Sequence, residues 1–443
     1  MRPTPIDKEL VQNTIHEYGL ENIDTATIRE MQMIAANVEK KSGVPFVKME
    51  MGIPGLPAAQ IGVEAQCEAL HNGVASLYPS IVGEPVVKEA TSRFVKAFIG
   101  VDIPAESCIP AVGSMQGVFA SFVTISQADT YRNKVLFIDP GFPVQKTQLE
   151  IQGVPYETFD IYNFRGPKLR EKLESYLSEG NYCCIVYSNP NNPAWICLSE
   201  DELKTIGDLA TRYDLVVLED LAYFAMDFRK DLSKPFEPPY QPTVAHYTDN
   251  YILHISGSKA FSYAGERIAM CCISEKLYNR YYAALSARYQ GLSFGKVYTT
   301  RVLYALSSGT SHSAQYALAA IMNAACDGKY NFREEVKVYG DRAHKLKEIF
   351  TRHNFTIVYP MDMDEPIADG FYFTIGYPGM TSAQLATELM YYGVSAINLG
   401  TTGSEQQGLR VCTSLSATTS MRFLTSAWQF LLKTTLCDFI IRL

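Results

Sequence analysis

The sequence predicts an α/β fold, with a large domain built on a doubly wound, mostly parallel sheet and a smaller α+β domain. Three observations lead there. Residues 183–187, 215–218 and 251–255 are short apolar or β-branched runs separated by helical stretches, which is how strands buried on both faces read. Each run leads to a side chain capable of chemistry: Asn192 after the first, Asp220 after the second and Lys259 after the third. Ligands bind outside the carboxyl ends of the strands in an open α/β sheet, so these ends would deliver an amide, a carboxylate and an amine to one crevice. Finally, a chain of 443 residues, 47% of them hydrophobic, exceeds one compact layer system, so two domains are expected.

Residues 1–60 open with an amphipathic stretch at 7–18 and close with Pro- and Gly-rich sequence at 52–58. From 61 to 325, apolar runs alternate with helical stretches, the pattern of the large sheet domain. In that region Ala111-Val112-Gly113-Ser114-Met115-Gln116-Gly117 reads as a glycine-bearing turn that opens a helix. Such a start binds anions through free N–H groups and the helix dipole. The run at 134–138 leads into Asp139-Pro140-Gly141-Phe142-Pro143, where Phe142 by itself reads as a core aromatic. Residues 313–322 and 331–352 read as helices with charged faces, the second linking the two domains. The region 326–443 supplies strands at 370–375 and 409–412 and a helix at 420–433. Its last residues, 437–443, are apolar and should dock on the body or on a partner.

Taken singly, the motifs have ordinary readings: Lys259 in Ser256-Gly257-Ser258-Lys259 as a solvated loop lysine, Asn189-Pro190-Asn191-Asn192-Pro193 as a turn, and Asp220 as a strand end. Their order and placement resemble the class I/II aminotransferases, the fold-type-I pyridoxal-phosphate enzymes related to aspartate aminotransferase, over nearly the whole chain. Asn189-Pro190-Asn191-Asn192-Pro193 resembles the family's Asn-Pro-x-Asn-Pro-Thr-Gly, which implies a cis Asn192–Pro193 bond and Asn192 at the cofactor's phenolic oxygen. The chain departs from that pattern with Ala194-Trp195 where Thr-Gly is usual, and again with Glu266 before the arginine. Asp220-Leu221-Ala222-Tyr223 matches the family's Asp-x-x-Tyr, and Lys259 with Arg267 matches its lysine and phosphate-binding arginine.

The resemblance implies further roles. Ser114, Met115 and Ser256 join Arg267 on the phosphate, and Phe142 stacks on the cofactor ring. Tyr78, in Leu77-Tyr78-Pro79-Ser80, crosses a dimer interface to the neighbour's phosphate. Arg410 in Gly408-Leu409-Arg410-Val411-Cys412 takes the substrate's α-carboxylate, with Asn192 beside it and Gly52 on a segment closing over the substrate. The small domain combines both chain ends, 1–60 and 326–443. The residue types suit the chemistry. A carboxylate keeps the pyridine nitrogen of pyridoxal 5′-phosphate protonated, a lysine forms the Schiff base and shuttles a proton, and an arginine's planar fork meets a carboxylate bidentately. Lys259, Asp220 and Tyr223 form the expected catalytic set. The implied activity is transfer of an amino group from an L-amino acid to a 2-oxo acid by a homodimer with shared active sites. A C–S β-lyase, decarboxylase or synthase of the same fold is the alternative, and a pyridoxal-phosphate-binding regulatory protein a remoter one. The donor's side chain is left open: Arg288 and Arg301 lie near 307–312, with no decisive second arginine for a dicarboxylate.

Composition narrows the classes. A net charge of −8 opposes a nucleic-acid role. No run approaches the roughly 20 apolar residues of a membrane span. The opening Met1-Arg2-Pro3-Thr4-Pro5 lacks a signal peptide's apolar stretch, which makes the cytoplasm the expected compartment. None of the ten cysteines forms a Cys-x-x-Cys pair, the seven histidines form no ligand spacing, and no metal is expected. His254 reads as a core histidine. Gly291-Leu292-Ser293-Phe294-Gly295-Lys296 falls one residue short of a P-loop and reads as a plain loop.

Overall fold

The structure, a computed structural model, describes residues 4–414. The chain packs as two units. One comprises Leu56–Asn191 and Ile196–Lys337; the other takes, among the described residues, those up to Gly55, the tetrapeptide Asn192–Trp195 and those from Val338 to Ser414.

The larger unit is built on seven strands: β1 (Cys108–Val112), β2 (Lys134–Asp139), β3 (Tyr156–Asp160), β4 (Tyr182–Ser188), β5 (Val216–Leu221), β6 (Tyr251–Ser256) and β7 (Ile268–Ile273). Their order across the sheet is β1-β7-β6-β5-β4-β2-β3. Strands β6, β5, β4, β2 and β3 run parallel, and β7 is antiparallel to both of its neighbours. This is the mostly parallel sheet that the apolar runs predict. The runs lack hydrophobic–polar alternation because both faces are covered: every residue of β5, β6 and β7 is buried. The helix Gly113–Ser126 lays Val118, Phe122 and Ile125, spaced for one helical stripe, into a core with Val135, Phe137, Val186, Leu218 and Ile252.

The smaller unit holds a four-stranded antiparallel sheet in the order Ile397–Asn398, Leu409–Cys412, Tyr372–Gly376, Thr356–Ile357. A short parallel pair, Val47–Lys48 with Val394–Ser395, ties N-terminal sequence to the later segment. The amphipathic stretch at 7–18 is a helix, Lys8–Glu17, capped by the Asp7 carboxylate, which accepts from the Glu9 N–H at 2.7 Å. Its Val11 and Ile15 pack with Ile34, Val38, Leu346, Phe350, Phe373 and Val411.

Three expectations change in detail. The helix expected over 331–352 is two helices, Phe332–Val336 and Val338–Arg352, interrupted at Lys337 where the chain leaves the larger unit. The strand expected at 370–375 is Tyr372–Gly376. The P-loop-like stretch is partly helical: Phe294–Val297 opens a helical run that continues through a π-helical segment, Tyr298–Leu303, to Ser307. The helix expected at 420–433 and the apolar tail at 437–443 lie outside the described residues. Among the described residues no helix is long and apolar enough to cross a membrane, no group of side chains is arranged to hold a metal, and nine cysteines are free thiols.

Candidate functional site

In the larger unit, three adjacent parallel strands set the positions. β4, β5 and β6 are in register, with Ser188 opposite Asp220 and Asp220 opposite His254. Their carboxyl ends therefore share one edge. Asp220, one residue from the end of β5, is buried; its carboxylate accepts from Gln145 Nε2 at 3.0 Å and from the Ala222 N–H at 3.1 Å. Burial pushes its pKa up to about 6 against the pull of those two donors, and among the described residues no cation pairs with it. A buried carboxylate with neutral donors only is suited to a cationic ligand group, which would offset the desolvation.

Lys259 follows β6 in the loop Gly257-Ser258-Lys259 and is half-buried. The loop is tied down by its own backbone. The Gly257 N–H donates to Ile268 O at 3.1 Å, the Tyr263 N–H to Gly257 O at 3.0 Å, and the Ser262 N–H to Lys259 O at 3.3 Å. Ser256 Oγ accepts from the Ser258 N–H at 3.1 Å, so its own proton remains available to donate. Tyr223, just beyond β5, is buried, and its carbonyl accepts from the Met226 N–H at 3.1 Å.

Beside these groups lies an anion cup. Gly113, at φ 69, opens the helix Gly113–Ser126, and a Cβ on it would collide with the Arg267 guanidinium, so only glycine lets the arginine approach this helix start. Ser114 Oγ is buried without a hydrogen-bond partner, and Gln148 Nε2 holds the Met115 carbonyl at 2.9 Å. Free first-turn N–H groups, an orphaned hydroxyl and a guanidinium are the donor set that a phosphate dianion takes. Phe142 is half-buried at the start of the helix Pro143–Gln152, which also carries Gln145 and Gln148. Tyr78 is 90% exposed. Glu266, the departure before Arg267, accepts from Gln66 Nε2 at 2.6 Å.

His254 faces the underside of the same helix start. Its ring nitrogens lie 3.2 Å from Ser121 Oγ and 3.4 Å from Cys271 Sγ, and burial pushes its pKa down to about 3. It is a neutral, hydrogen-bonded core histidine.

The smaller unit carries the remaining residues. Arg410, central in Leu409–Cys412, is 1% exposed. Its Nη1 donates to Asn192 Oδ1 at 3.2 Å, its Nη2 to the Glu50 carbonyl, and its guanidinium lies 4.5 Å from the centre of the Tyr372 ring. Nε has no partner, and among the described residues no carboxylate forms an ion pair with this arginine. A buried guanidinium without a counterion is costly, and a carboxylate ligand would relieve it. The Glu50 carboxyl makes no direct ion pair with it: burial raises its pKa despite the opposing pull of the Arg410 charge, and its Oε2 accepts from Ser395 Oγ at 2.6 Å. Gly52 lies under the Tyr372 hydroxyl, where a Cβ would overlap the phenol. The Asn192–Pro193 bond is cis, as the motif implies.

Sequence reasoning did not single out Gln145, Gln148, Tyr372 or Glu50. Two glutamines three apart on one helix carry no chemical signature, and a strand tyrosine after Phe371 reads as core.

The model of the family "Aminotransferase class I and II" matches residues 51–426. An aspartate aminotransferase of Pyrococcus horikoshii is 26% identical over 249 residues, 56% of this chain and 59% of that protein. An LL-diaminopimelate aminotransferase of Natranaerobius thermophilus is 26% identical over 243 residues, 54% of this chain and 60% of that protein. The matched segments thus span about three-fifths of the length of these two relatives. Among solved structures, an aspartate aminotransferase of Thermus thermophilus superposes with a TM-score of 0.71 at 17% identity, covering 91% of this chain and 95% of that one. An alanine aminotransferase of Pyrococcus furiosus gives 0.73 at 16%, covering 92% and 97%. Both share the fold.

Proposed function

The chain belongs to the class I and II aminotransferases, and from that membership we propose that it moves an amino group from an L-amino acid to a 2-oxo acid with pyridoxal 5′-phosphate as cofactor. When bound, that cofactor supplies an electron sink for the charge left at the substrate's α-carbon. Ser114, the Met115 N–H, Ser256 and Arg267 would hold its phosphate. Asp220 would keep the ring nitrogen protonated, Tyr223 and Asn192 would donate to the phenolic oxygen, and Phe142 would cover the ring. Lys259 supplies the amine that anchors the cofactor. Once released, its Nζ moves the proton at the α-carbon. Arg410 takes the α-carboxylate, with Gly52 on the segment above it.

Arg410 is the observation that carries the reading to a substrate class. Amino acid and 2-oxo acid share the carboxylate and differ at the next carbon. A single buried guanidinium with an open Nε and, among the described residues, no carboxylate ion-paired to it serves both half-reactions.

Two finer points belong to the same proposal. The enzyme works as a homodimer in which Tyr78 reaches its partner's phosphate site, a reading supported by the exposure of Tyr78 together with Leu77 and Ile81. It works in the cytoplasm, a reading supported by nine free thiols.

The test is spectroscopic. The purified protein is loaded with pyridoxal phosphate, and its visible band is followed on adding a pool of L-amino acids without any oxo acid. The band should disappear, return when a 2-oxo acid is added, and lead to the donor when the pool is divided. A band that persists while pyruvate, ammonia or carbon dioxide is released would move the assignment to a lyase or decarboxylase.

A further inference from the structure

We infer that Trp195 is a positioning residue for the carboxylate-binding arginine, acting through Tyr372; this rests on the reading of Arg410 given above. Trp195 stands at φ 66, in the left-handed region that glycine enters freely and a bulky side chain resists. The family pattern has glycine at this position. Side-chain packing must therefore hold the tryptophan there, and the surroundings are shaped to do so. The indole is fully buried, and a Cβ on Gly370 would fall inside its ring.

The indole meets the Tyr372 ring edge-on, with centroids 6.2 Å apart and planes at 68°. That same tyrosine carries the Arg410 guanidinium at 4.5 Å from its centre, with its hydroxyl end against Gly52. Hydrogen bonds to Asn192 and Glu50 fix two of the guanidinium nitrogens, and the aromatic ring below fixes the tilt of the plane. Bidentate recognition of a carboxylate needs both. The tetrapeptide Asn192–Trp195 thus works at both of its ends: Asn192 bonds the guanidinium, and Trp195 braces the ring on which it lies. Being fully buried, the indole acts through Tyr372 and does not touch substrate.

This assigns Trp195 to recognition of the group common to both substrates, separate from proton transfer at Lys259. The backbone at 195 already has a conformation that glycine favours, so Trp195→Gly removes the ring without asking the chain to refold there. The experiment compares Trp195→Gly, Trp195→Phe and Arg410→Lys by steady-state kinetics, by calorimetric binding of propionate as a non-reacting carboxylate, and by the visible absorbance of the bound cofactor. Trp195→Gly should raise both KM values and the propionate Kd together by about tenfold while kcat changes less than about threefold. The cofactor absorbance should be unchanged, and Trp195→Phe should lie between the parent and Trp195→Gly. If Trp195→Gly does not fold, a rise in both KM values and in Kd for Trp195→Phe is the decisive result, and parental values overturn the inference. It is also overturned if KM and Kd hold in Trp195→Gly while Arg410→Lys raises them, or if only one substrate's KM moves. A propionate Kd unchanged in Arg410→Lys would instead bring down the reading of Arg410 itself.

Discussion

Asp220 is held in a state that folding alone disfavours. Its carboxyl is buried with two neutral donors, and its pKa is pushed up to about 6. A carboxyl whose pKa is raised on folding keeps its proton more tightly in the native state. Native stability is therefore greatest below the unfolded value near 4 and declines as pH climbs through 6. The ionised form at neutral pH then costs about 2–3 kcal/mol. We expect cofactor-free Asp220→Asn to melt above the cofactor-free parent at pH 7.5, with the difference vanishing near pH 4. Adding pyridoxal phosphate should raise the parent's Tm more than the variant's, because only the parent offers a charge to the ring nitrogen. Thermal melts with and without cofactor check both halves, and a variant that gains as much from cofactor as the parent does would remove Asp220 from its role. Lys259→Ala is expected to lower turnover by at least about a thousandfold and to abolish the visible band of a lysine-linked cofactor. Turnover near the parent's would sink the lysine assignment. At this scale, the motifs that carry a charge or a nucleophile pointed to the family because their order along the chain is diagnostic. Gln145, Gln148 and Tyr372 gave no such signal, since each matters for the neighbour it touches (the Asp220 carboxylate, the Met115 carbonyl and the Arg410 guanidinium), and that is settled only by folding.

At the scale of the element, the strands were the most legible part. Runs such as 251–255 are apolar throughout because both sheet faces are covered, and the observed β6 differs from the expected run by one residue. Helix boundaries depend on more local detail, as the break at Lys337 in the expected 331–352 helix illustrates. One helix start is held by a single buried group. Glu202 accepts from Arg165 Nε at 2.7 Å and Nη2 at 2.9 Å, from the Gly166 N–H at 2.8 Å and from the Ser199 N–H at 3.0 Å. With Ser199 it forms the capping box of the helix Glu200–Arg212 and pins the chain at 165–166 to it. Burial opposes its ionisation, but Arg165 and these N–H groups hold its pKa below the usual value. Glu202→Ala should cost about 3–5 kcal/mol, because it removes a buried carboxylate that accepts two hydrogen bonds from the largely buried Arg165 and two from backbone N–H groups. Urea denaturation measures this, and a loss below about 1 kcal/mol, the range of an exposed pair, would show the pair to be solvated.

At the scale of the molecule, the composition and the alternation of strands with helices made the fold class readable, whereas the donor's side chain stayed unreadable. Recognition of a side chain depends on loops whose residues carry no fixed type. Assembly is open to a direct test through Tyr78. If Tyr78 serves its partner's site, Tyr78→Ala and Lys259→Ala damage different sites, and a mixed dimer contains one intact site. Co-expressed in equal amounts, the two variants should recover roughly a quarter of parental activity through random pairing. Activity no greater than the sum of the separately expressed variants would mean that Tyr78 does not act across an interface.

The path of the backbone has a consequence for modularity. Among the described residues, the smaller unit draws on those up to Gly55, on four at Asn192–Trp195, and on those from Val338 to Ser414. No contiguous stretch of the gene encodes it. It cannot be exchanged by a single recombination event, expressed as a fragment, or completed on the ribosome before the last segment emerges. Its pairing of Val47 with Val394 waits until both of these distant segments have been synthesised.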